Sequence, residues 1–563
     1  MMKYPGLLDE DVSRIGVQES QMLNLISGKL VTDLVKTSLG PKGMSKIYID
    51  ILDEDTLTKH GGAFLRKVDV DHPAAKSVID AVNTVDTHVG DGTTSSAILI
   101  GSLLDNAKDL LNMGIPVTVI IKGYERSLGY TLDVLDDVKI SSNNLDQKIM
   151  KQLLVTCLDG KALFDLYESQ EKILNLMIES ISCIRDFKNN YINTDDIKIE
   201  EKIGNISETQ LIRGTILDKT IDSSAMPRSI DNPKILLINE SLETMKTKSE
   251  SEIEITSPEQ MSQFLIQENT DLEILVKKIV DADIDVVISR KGVNDFVQEA
   301  LAQKGIITIR RVKYNDLWWL EKATGAKTCK DIHKISVDEI GYAKKIYEKI
   351  IGGDKMIFVE GVNPKSVTLL LRANSKRYLD ELHRNALNGF KVLKNFIENP
   401  FIVLGAGAIE GIIAEKIRNH ASTIENKEQI VLEKFANSVE EIPLTLARNI
   451  GMNVIDTKTQ LRAKFANSTN KIKWYGVDYN LRKISDMTSS KIIETSIVKQ
   501  QIFNTAVEAT NMILNIDDVF MKNQIDNTHC HVDGHVHAHH DGGKSHNHFE
   551  QEGLEQRQMH QYY

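Results

Sequence analysis

VGDGTTSSAILIGSLLDNAKDLLNM (89–113) places a glycine-rich turn directly in front of a helical pattern. Glycines at 90 and 92 let backbone amides come close to an anion, and the N-terminus of the helix that follows carries the matching partial positive charge. Asp91 adds a hard oxygen ligand of the kind Mg²⁺ prefers when it bridges to phosphate. Thr93 and Thr94 can cap the helix or contact phosphate. Taken alone, the same residues read more readily as a turn with an N-cap. From about 96 to 113 the residues Ile100, Leu103, Leu104, Ala107, Leu110 and Leu111 recur at helical spacing, and Gly114 with Pro116 ends the run. A second glycine loop, Leu39-Gly40-Pro41-Lys42-Gly43, follows another helical pattern. Gly40 can take a left-handed cap there and Pro41 stops the helix, so it too can be a plain helix end. No GxxxxGK[ST] occurs, which excludes a P-loop.

Outward from these loops, KIYIDILDEDTLTK (46–59) reads as a strand hairpin. The middle of the chain changes character: ILLIN (235–239), IDVVIS (284–289), GIITIRRV (305–312) and KMIFVEG (355–361) are short β-rich runs with helical patterns between several of them, as in an α/β domain. Within it, Ser257-Pro258-Glu259-Gln260 is a capping-box start with proline at the first helical position. Met261, Phe264, Leu265, Leu272, Leu275 and Ile279 then share one face, after a polar stretch (241–256) that reads as an exposed arm. From 402 to 520 the chain is helical again, closing with a long helix over 491–514. This nested order predicts a multidomain α+β protein in which the two ends build one domain and the α/β part is inserted into it.

At roughly 150 residues per domain, the 563 residues make three or four domains. The net charge of −12 disfavours nucleic acid as a partner. No apolar run reaches the roughly 18 residues of a bilayer span, and the acidic start MMKYPGLLDEDVSR is unlike a signal peptide, so no membrane partner is expected. The four cysteines form no CxxC pair, which fits a reducing cytoplasm.

The stretches TSLGPKGMSKIYID (37–50), HPAAK (72–76), VGDGTTS (89–95), KGYERS (122–127), GDKMIFVEG (353–361) and GVDYNLRKISDM (476–487) together resemble the group II chaperonins, the archaeal thermosome and its eukaryotic cytosolic relatives of the TCP-1 type. The similarity runs from about residue 10 to 520, and ATGAK (323–327) with VEGVNPKSVT (359–368) resembles a divergent archaeal paralogue more than a eukaryotic subunit. The resemblance implies the chaperonin fold. Residues 1–148 and 402–524 would form an equatorial ATP-binding domain, 149–214 and 366–401 an intermediate hinge domain, and 215–365 an apical substrate-binding domain with a helical protrusion at about 241–280. It implies a homo- or hetero-oligomeric double ring of homologous subunits that encloses unfolded client proteins, with the 46–59 hairpin and the terminal segments as ring contacts. RRV (310–312) and the Trp318-Trp319 pair fall in the apical part, for substrate contact or for core.

Carried over residue by residue, the resemblance assigns ATP binding to Leu39, Gly40, Pro41, Gly90, Asp91, Gly92, Thr93, Thr94 and Ser95, with Mg²⁺ on Asp91. Lys161 matches a lysine that senses the γ-phosphate and Asp478 a nucleoside-end contact. The family's GGGA segment survives as Gly405-Ala406-Gly407-Ala408, where the Ala406 methyl crowds the nucleotide or demands an altered backbone. Two departures fall on the catalytic side. His60 stands where the family has a metal-side aspartate, twelve residues before HPAAK. Asn388 stands where the family has the aspartate that activates water, seventeen residues before the GGGA segment. An amide cannot accept a proton, so hydrolysis is expected to be weakened. The tail, 525–563, is low-complexity, and His535, His537, His539 and His540 are dense enough to bind Zn²⁺ or Ni²⁺; a polar filler is the alternative.

Overall fold

The computed structural model describes residues 12–522 apart from 16, 51–54, 144–145, 159, 161–166, 187–190, 244–257, 331, 333–334 and 467–472. The chain divides into two compact units. One, residues 1–20 with 517–563, contains an antiparallel ribbon in which Val12–Ile15 pairs with Val519–Lys522, Val12 opposite Lys522. The other is residues 21–516.

In the larger unit the helices Pro73–Val89, Thr93–Asn112 and Val117–Val138 pack against Ala408–Ala421, Glu428–Asn449 and Ser496–Leu514. Segments some 300 residues apart thus share one core, filled by Val78, Ile98, Leu103, Tyr124, Phe435 and Phe503, all fully buried. Burying a side chain of this size stabilises by about 1.5–3 kcal/mol each, which is what holds the two distant segments together. Beside it, Ile197–Ile203, Val367–Ala373 and Gln210–Ile212 form a three-stranded sheet in that order, the first pair parallel. The helices Tyr167–Ile184 and Lys376–Glu398 pack on this sheet.

The largest sheet has seven strands. Ile307–Ile309, Val286–Ser289 and Lys234–Ile238 lie parallel; Gly341–Ile351, Asp354–Gly361 and Gly214–Leu217 continue antiparallel, and Ser229–Asp231 pairs beside Gly341–Ile351. The parallel strands read as unbroken apolar runs because helices Pro258–Asp281, Asp295–Gln303 and Tyr314–Thr324 cover them. Leu272, Leu275 and Ile279 are core residues of this layer, whereas Ile266 and Ile274 of the same helix are exposed. Ser257 and the side chains of Met261, Phe264 and Leu265 lie outside the described residues. Trp318 and Trp319 are half-buried, edge to face, and Trp319 Nε1 donates to Asp195 O at 2.8 Å, so the pair packs at a junction between elements.

The hairpin forms, with Lys46–Ile49 paired to Asp55–Thr58. Two helix boundaries move. The helix after the glycine loop begins at Thr93 rather than 96, because Gly92 at φ 80° is its N-cap and turns both threonines into the first turn. The last long helix begins at Ser496, because Ile493–Thr495 pairs as a strand with Phe401–Leu404.

Candidate functional site

The glycine loops, distant in sequence, meet around one cavity of about 590 Å³. Its wall includes Ser38–Pro41, Lys59, His60, Asp91–Ser95, Ala406, Gly407, Glu494 and Lys499, with Lys148, Lys151 and Cys157 from the Gln147–Leu158 helix. Ile442, Leu446, Ile450, Val477 and Tyr479 supply an apolar part. The first loop is fixed by Asn449, whose Nδ2 donates to Lys36 O at 3.0 Å and Leu39 O at 2.9 Å.

Two helices start at this cavity, and both have a left-handed glycine as N-cap with no side-chain capping bond: Gly92 before Thr93 and Gly407, φ 78°, before Ala408. Backbone N–H groups and two positive helix ends therefore converge on one volume, the arrangement that receives anions such as phosphate. Ala406 keeps a left-handed backbone, φ 58°, despite its methyl, a strain of about 1–2 kcal/mol. Its carbonyl accepts from Val477 N at 2.9 Å, so the neighbouring strand holds this backbone in place.

His60 is buried and serves as the N-cap of Gly61–Lys67, its Nδ1 accepting from Ala63 N at 3.2 Å. A ring nitrogen that accepts carries no proton, so the other, Nε2, bears the hydrogen. Nε2 lies 3.4 Å from both Asp86 Oδ1 and Thr93 Oγ1. Asp86 also pairs with Arg66 at 2.8 Å. Burial pushes the Asp86 carboxyl up, but His60 and Arg66 outweigh it and hold the group below its ordinary value.

At the cavity wall, Lys499 Nζ lies 2.7 Å from Glu410 Oε1 and 2.7 Å from Glu494 Oε2, with Lys499 and Glu410 deeply buried and Glu494 partly exposed. Burial lowers the lysine, yet the two carboxylates overcome it and hold the ammonium above its ordinary value. Burial pushes Glu494 up against the pull of Lys499.

Of the residues expected at the site, Leu39, Gly40, Pro41, Asp91, Gly92, Thr93, Thr94, Ser95, His60, Ala406 and Gly407 line the cavity. Gly90 and Gly405 sit just behind the wall; Gly405 is so close to Glu494 that an added Cβ would lie 2.6 Å from Oε1. Asn388 is buried in Lys376–Glu398 with its carbonyl packed against Gly90, not at the wall. Asp478 is spent on its own turn, accepting from Asn480 N and Leu481 N, while Val477 and Tyr479 beside it line the cavity. Lys161 and the tail histidines 535, 537, 539 and 540 lie outside the described residues.

Among the described residues no group of three His, Cys, Asp or Glu is placed to hold a metal, and no helix is long and apolar enough to cross a membrane. The Asp91 carboxylate has no ion-pair or side-chain hydrogen-bond partner among the described residues, which leaves it able to take one face of a Mg²⁺ ion whose other ligands are phosphate oxygens and water. Three features escaped the sequence reading: Lys59, whose Nζ donates to Pro41 O and Gly160 O at 3.0 and 2.9 Å; the lysines of the Gln147–Leu158 helix; and the Lys499 cluster. Only the Lys59-His60 pair, interrupting the register before HPAAK, carried a local signal.

The fold and this cavity define a class: a multidomain α+β protein with a cavity assembled from distant segments of the chain, at which two glycine-capped helices begin. The sequence profile of the TCP-1/cpn60 chaperonin family matches residues 31–524. The chain is 37% identical over 525 residues to a thermosome subunit alpha of Sulfurisphaera tokodaii, covering 91% of this chain and 93% of that one. It is 36% identical to a thermosome subunit beta of Archaeoglobus fulgidus (91% and 94% covered) and 36% identical to a thermosome subunit of Pyrococcus horikoshii (92% and 94%). The chain belongs to the TCP-1/cpn60 chaperonin family. It is a chaperonin subunit.

Proposed function

We propose that this subunit binds ATP in the 590 Å³ cavity as part of a cytoplasmic double ring enclosing unfolded proteins, and hydrolyses it slowly. The reading assigns the shared helical core (1–148 and 402–524) as the equatorial domain, the three-stranded sheet region (149–214 and 366–401) as the hinge, and the seven-stranded sheet region (215–365) as the apical domain. What supports this is the co-packing of the 73–138 helices with the 408–514 helices, which puts both glycine loops in one core.

The two helix N-termini and the glycine loops would bind the phosphates, and the apolar wall at Val477 and Tyr479 the base and ribose. A Mg²⁺ on Asp91, when bound, would neutralise charge on the phosphate oxygens. The observation that carries slow turnover is the state of the two substituted positions. His60 is occupied as a helix cap with its Nε2 facing Asp86, so it offers no carboxylate. Asn388 lies behind the wall beside Gly90, and an amide there, unlike a carboxylate, cannot take a proton from water. General-base assistance is worth about 10²–10⁴-fold, so the double change His60→Asp with Asn388→Asp should raise ATP hydrolysis by up to that factor. If the unaltered chain hydrolyses ATP as fast as the double variant, the proposal is wrong.

The same two substitutions favour a second reading, a nucleotide-stabilised structural subunit in a mixed ring with hydrolysing sister subunits. The native mass of the assembled complex distinguishes the two: a single subunit type leaves only the first.

A further inference from the structure

The strand Ile197–Ile203 has two unlike faces. Ile197 belongs to the large helical core and Ile199 packs against it, while the alternate residues Lys198, Glu200 and Lys202 share the opposite face. Lys198 Nζ donates to Asp316 Oδ1 and to Ile216 O, both at 2.6 Å, and lies 3.4 Å from Glu200 Oε2. Lys198 and Asp316 are both buried. Asp316 stands in the first turn of helix Tyr314–Thr324 and Ile216 in strand Gly214–Leu217, so the lysine reaches out of the three-stranded sheet into the seven-stranded sheet region. Its ammonium also lies 5.1 Å from the centre of the Trp319 ring. Lys322 of the same helix pairs with Asp196, just before the strand, and Ser366 Oγ donates to Trp319 O at 2.8 Å. Further along the charged face, Lys202 pairs with Asp354 at 2.8 Å and with Asp218 at 3.5 Å.

The chain passes between the two sheets at two places. Arg213 alone separates Gln210–Ile212 from Gly214–Leu217, and residues 362–366 separate Asp354–Gly361 from Val367–Ala373. The crossings touch: Gly361 N donates to Arg213 O at 2.9 Å, and Thr368 Oγ1 to Gly214 O at 2.9 Å. Two neighbouring crossings make a hinge line, so the side chains that link the sheets beside it decide how they are set. The apolar cluster that joins them is small, Ile212 and Leu370 against Ile216, Ile351, Met356 and Phe358. The rest of the link is the charged strand face, which can exchange its partners for water without exposing apolar surface. We infer that Lys198 is a catch: its shared ammonium holds residues 214–365 in one setting on the three-stranded sheet, and without it this region swings as a body about the two crossings. The inference is independent of the nucleotide reading above.

Each crossing carries an exposed trypsin site, after Arg213 and after Lys365, whose backbone is tied down: Arg213 O by Gly361 N, and Lys365 N by Lys322 O at 3.0 Å. The test is limited tryptic digestion of the full-length chain, read by mass, with Lys198→Met and Lys198→Arg. Removing one side of a buried ion pair should raise the opening equilibrium by about 100-fold. Cleavage tracks the open population when reclosing is fast, so Lys198→Met should be cut after Arg213 and Lys365 faster by about that factor, with the far-UV circular dichroism unchanged. Lys198→Arg keeps the cation and should be cut about tenfold more slowly than Lys198→Met, or slower still. Acceleration above about threefold that is confined to the two crossings supports the catch, and a smaller rise overturns it. Equal acceleration after Arg290 and Lys304, inside the region, also overturns it, because the region would then be unfolding rather than swinging. So does an arginine variant cut as fast as the methionine one, since a cation would then not be what holds the two sheets.

Discussion

Replacing Lys499 by methionine removes the one cation shared by Glu410 and Glu494. Both carboxylates stay in place, Glu410 buried and Glu494 partly exposed at the cavity wall, 2.7 Å from where the ammonium was. Breaking a buried ion pair from one side costs about 3–5 kcal/mol, because a charge is left in a medium that cannot solvate it. Here Glu410 is left buried beside a Glu494 that water in the cavity can reach, which puts the loss towards the lower end of that range. The loss should depend on pH in a defined direction. Burial already holds the Glu494 carboxyl above its ordinary value, so its folded form prefers the proton and is relatively most stable in acid. Without Lys499 that preference grows. The variant should therefore be least stable near pH 8 and recover part of the loss as the pH falls towards 5, as protonation relieves the buried charge. Lys499 itself, held above its ordinary value, contributes stability that is fully present below about pH 10 in the unaltered chain, so the comparison between pH 5 and 8 is free of its titration. Urea unfolding at both pH values measures this. A loss below about 1 kcal/mol at pH 8, or a loss that does not shrink in acid, would refute the account of the cluster.

Asp86→Asn should destabilise the fold at pH 7, since it removes the charge that pairs with Arg66. The native carboxyl is held below its ordinary value, so its contribution is present above about pH 4 and fades as acid protonates it; thermal melts at pH 7 and 3 should converge. Ala406→Gly relieves a left-handed alanine worth about 1–2 kcal/mol at an entropic cost of about 0.4–1, so its melting temperature should stay level or rise, and a clear drop would contradict the strain argument. Phe435→Ala, fully buried where the two distant chain segments meet, should lose about 3–5 kcal/mol in chemical denaturation.

The sequence was most readable where the information is local. Alternating apolar residues located the hairpin and the sheet strands to within a few residues, and Gly92 with Gly40 marked the backbone turns that only glycine makes cheaply. Boundaries slipped where tertiary pairing competes with periodicity: Ile493–Thr495 has helical neighbours but is taken by a strand partner ninety residues earlier. The Lys499 cluster was not readable at all. Its carboxylates come from the start of one helix and from that strand, and nothing near Lys499 announces either. Asp478 shows the opposite failure, a polar residue at the right loop whose carboxylate closes its own turn.

Lys391 Nζ donates to Asp86 O at 2.9 Å and Asn395 Nδ2 to Val89 O at 3.2 Å, which clamps one end of the Lys376–Glu398 helix to the segment leading into Gly90. At 1.5 Å per residue, Lys376 lies about 22 Å from that clamp, so a tilt of about 5° at the glycine loop swings the far end by about 2 Å. Arg377 and Arg384 there grip Asp55 and the Leu57 carbonyl of the hairpin. The rod is a lever: a tilt at the glycine loop would be carried to the hairpin's edge.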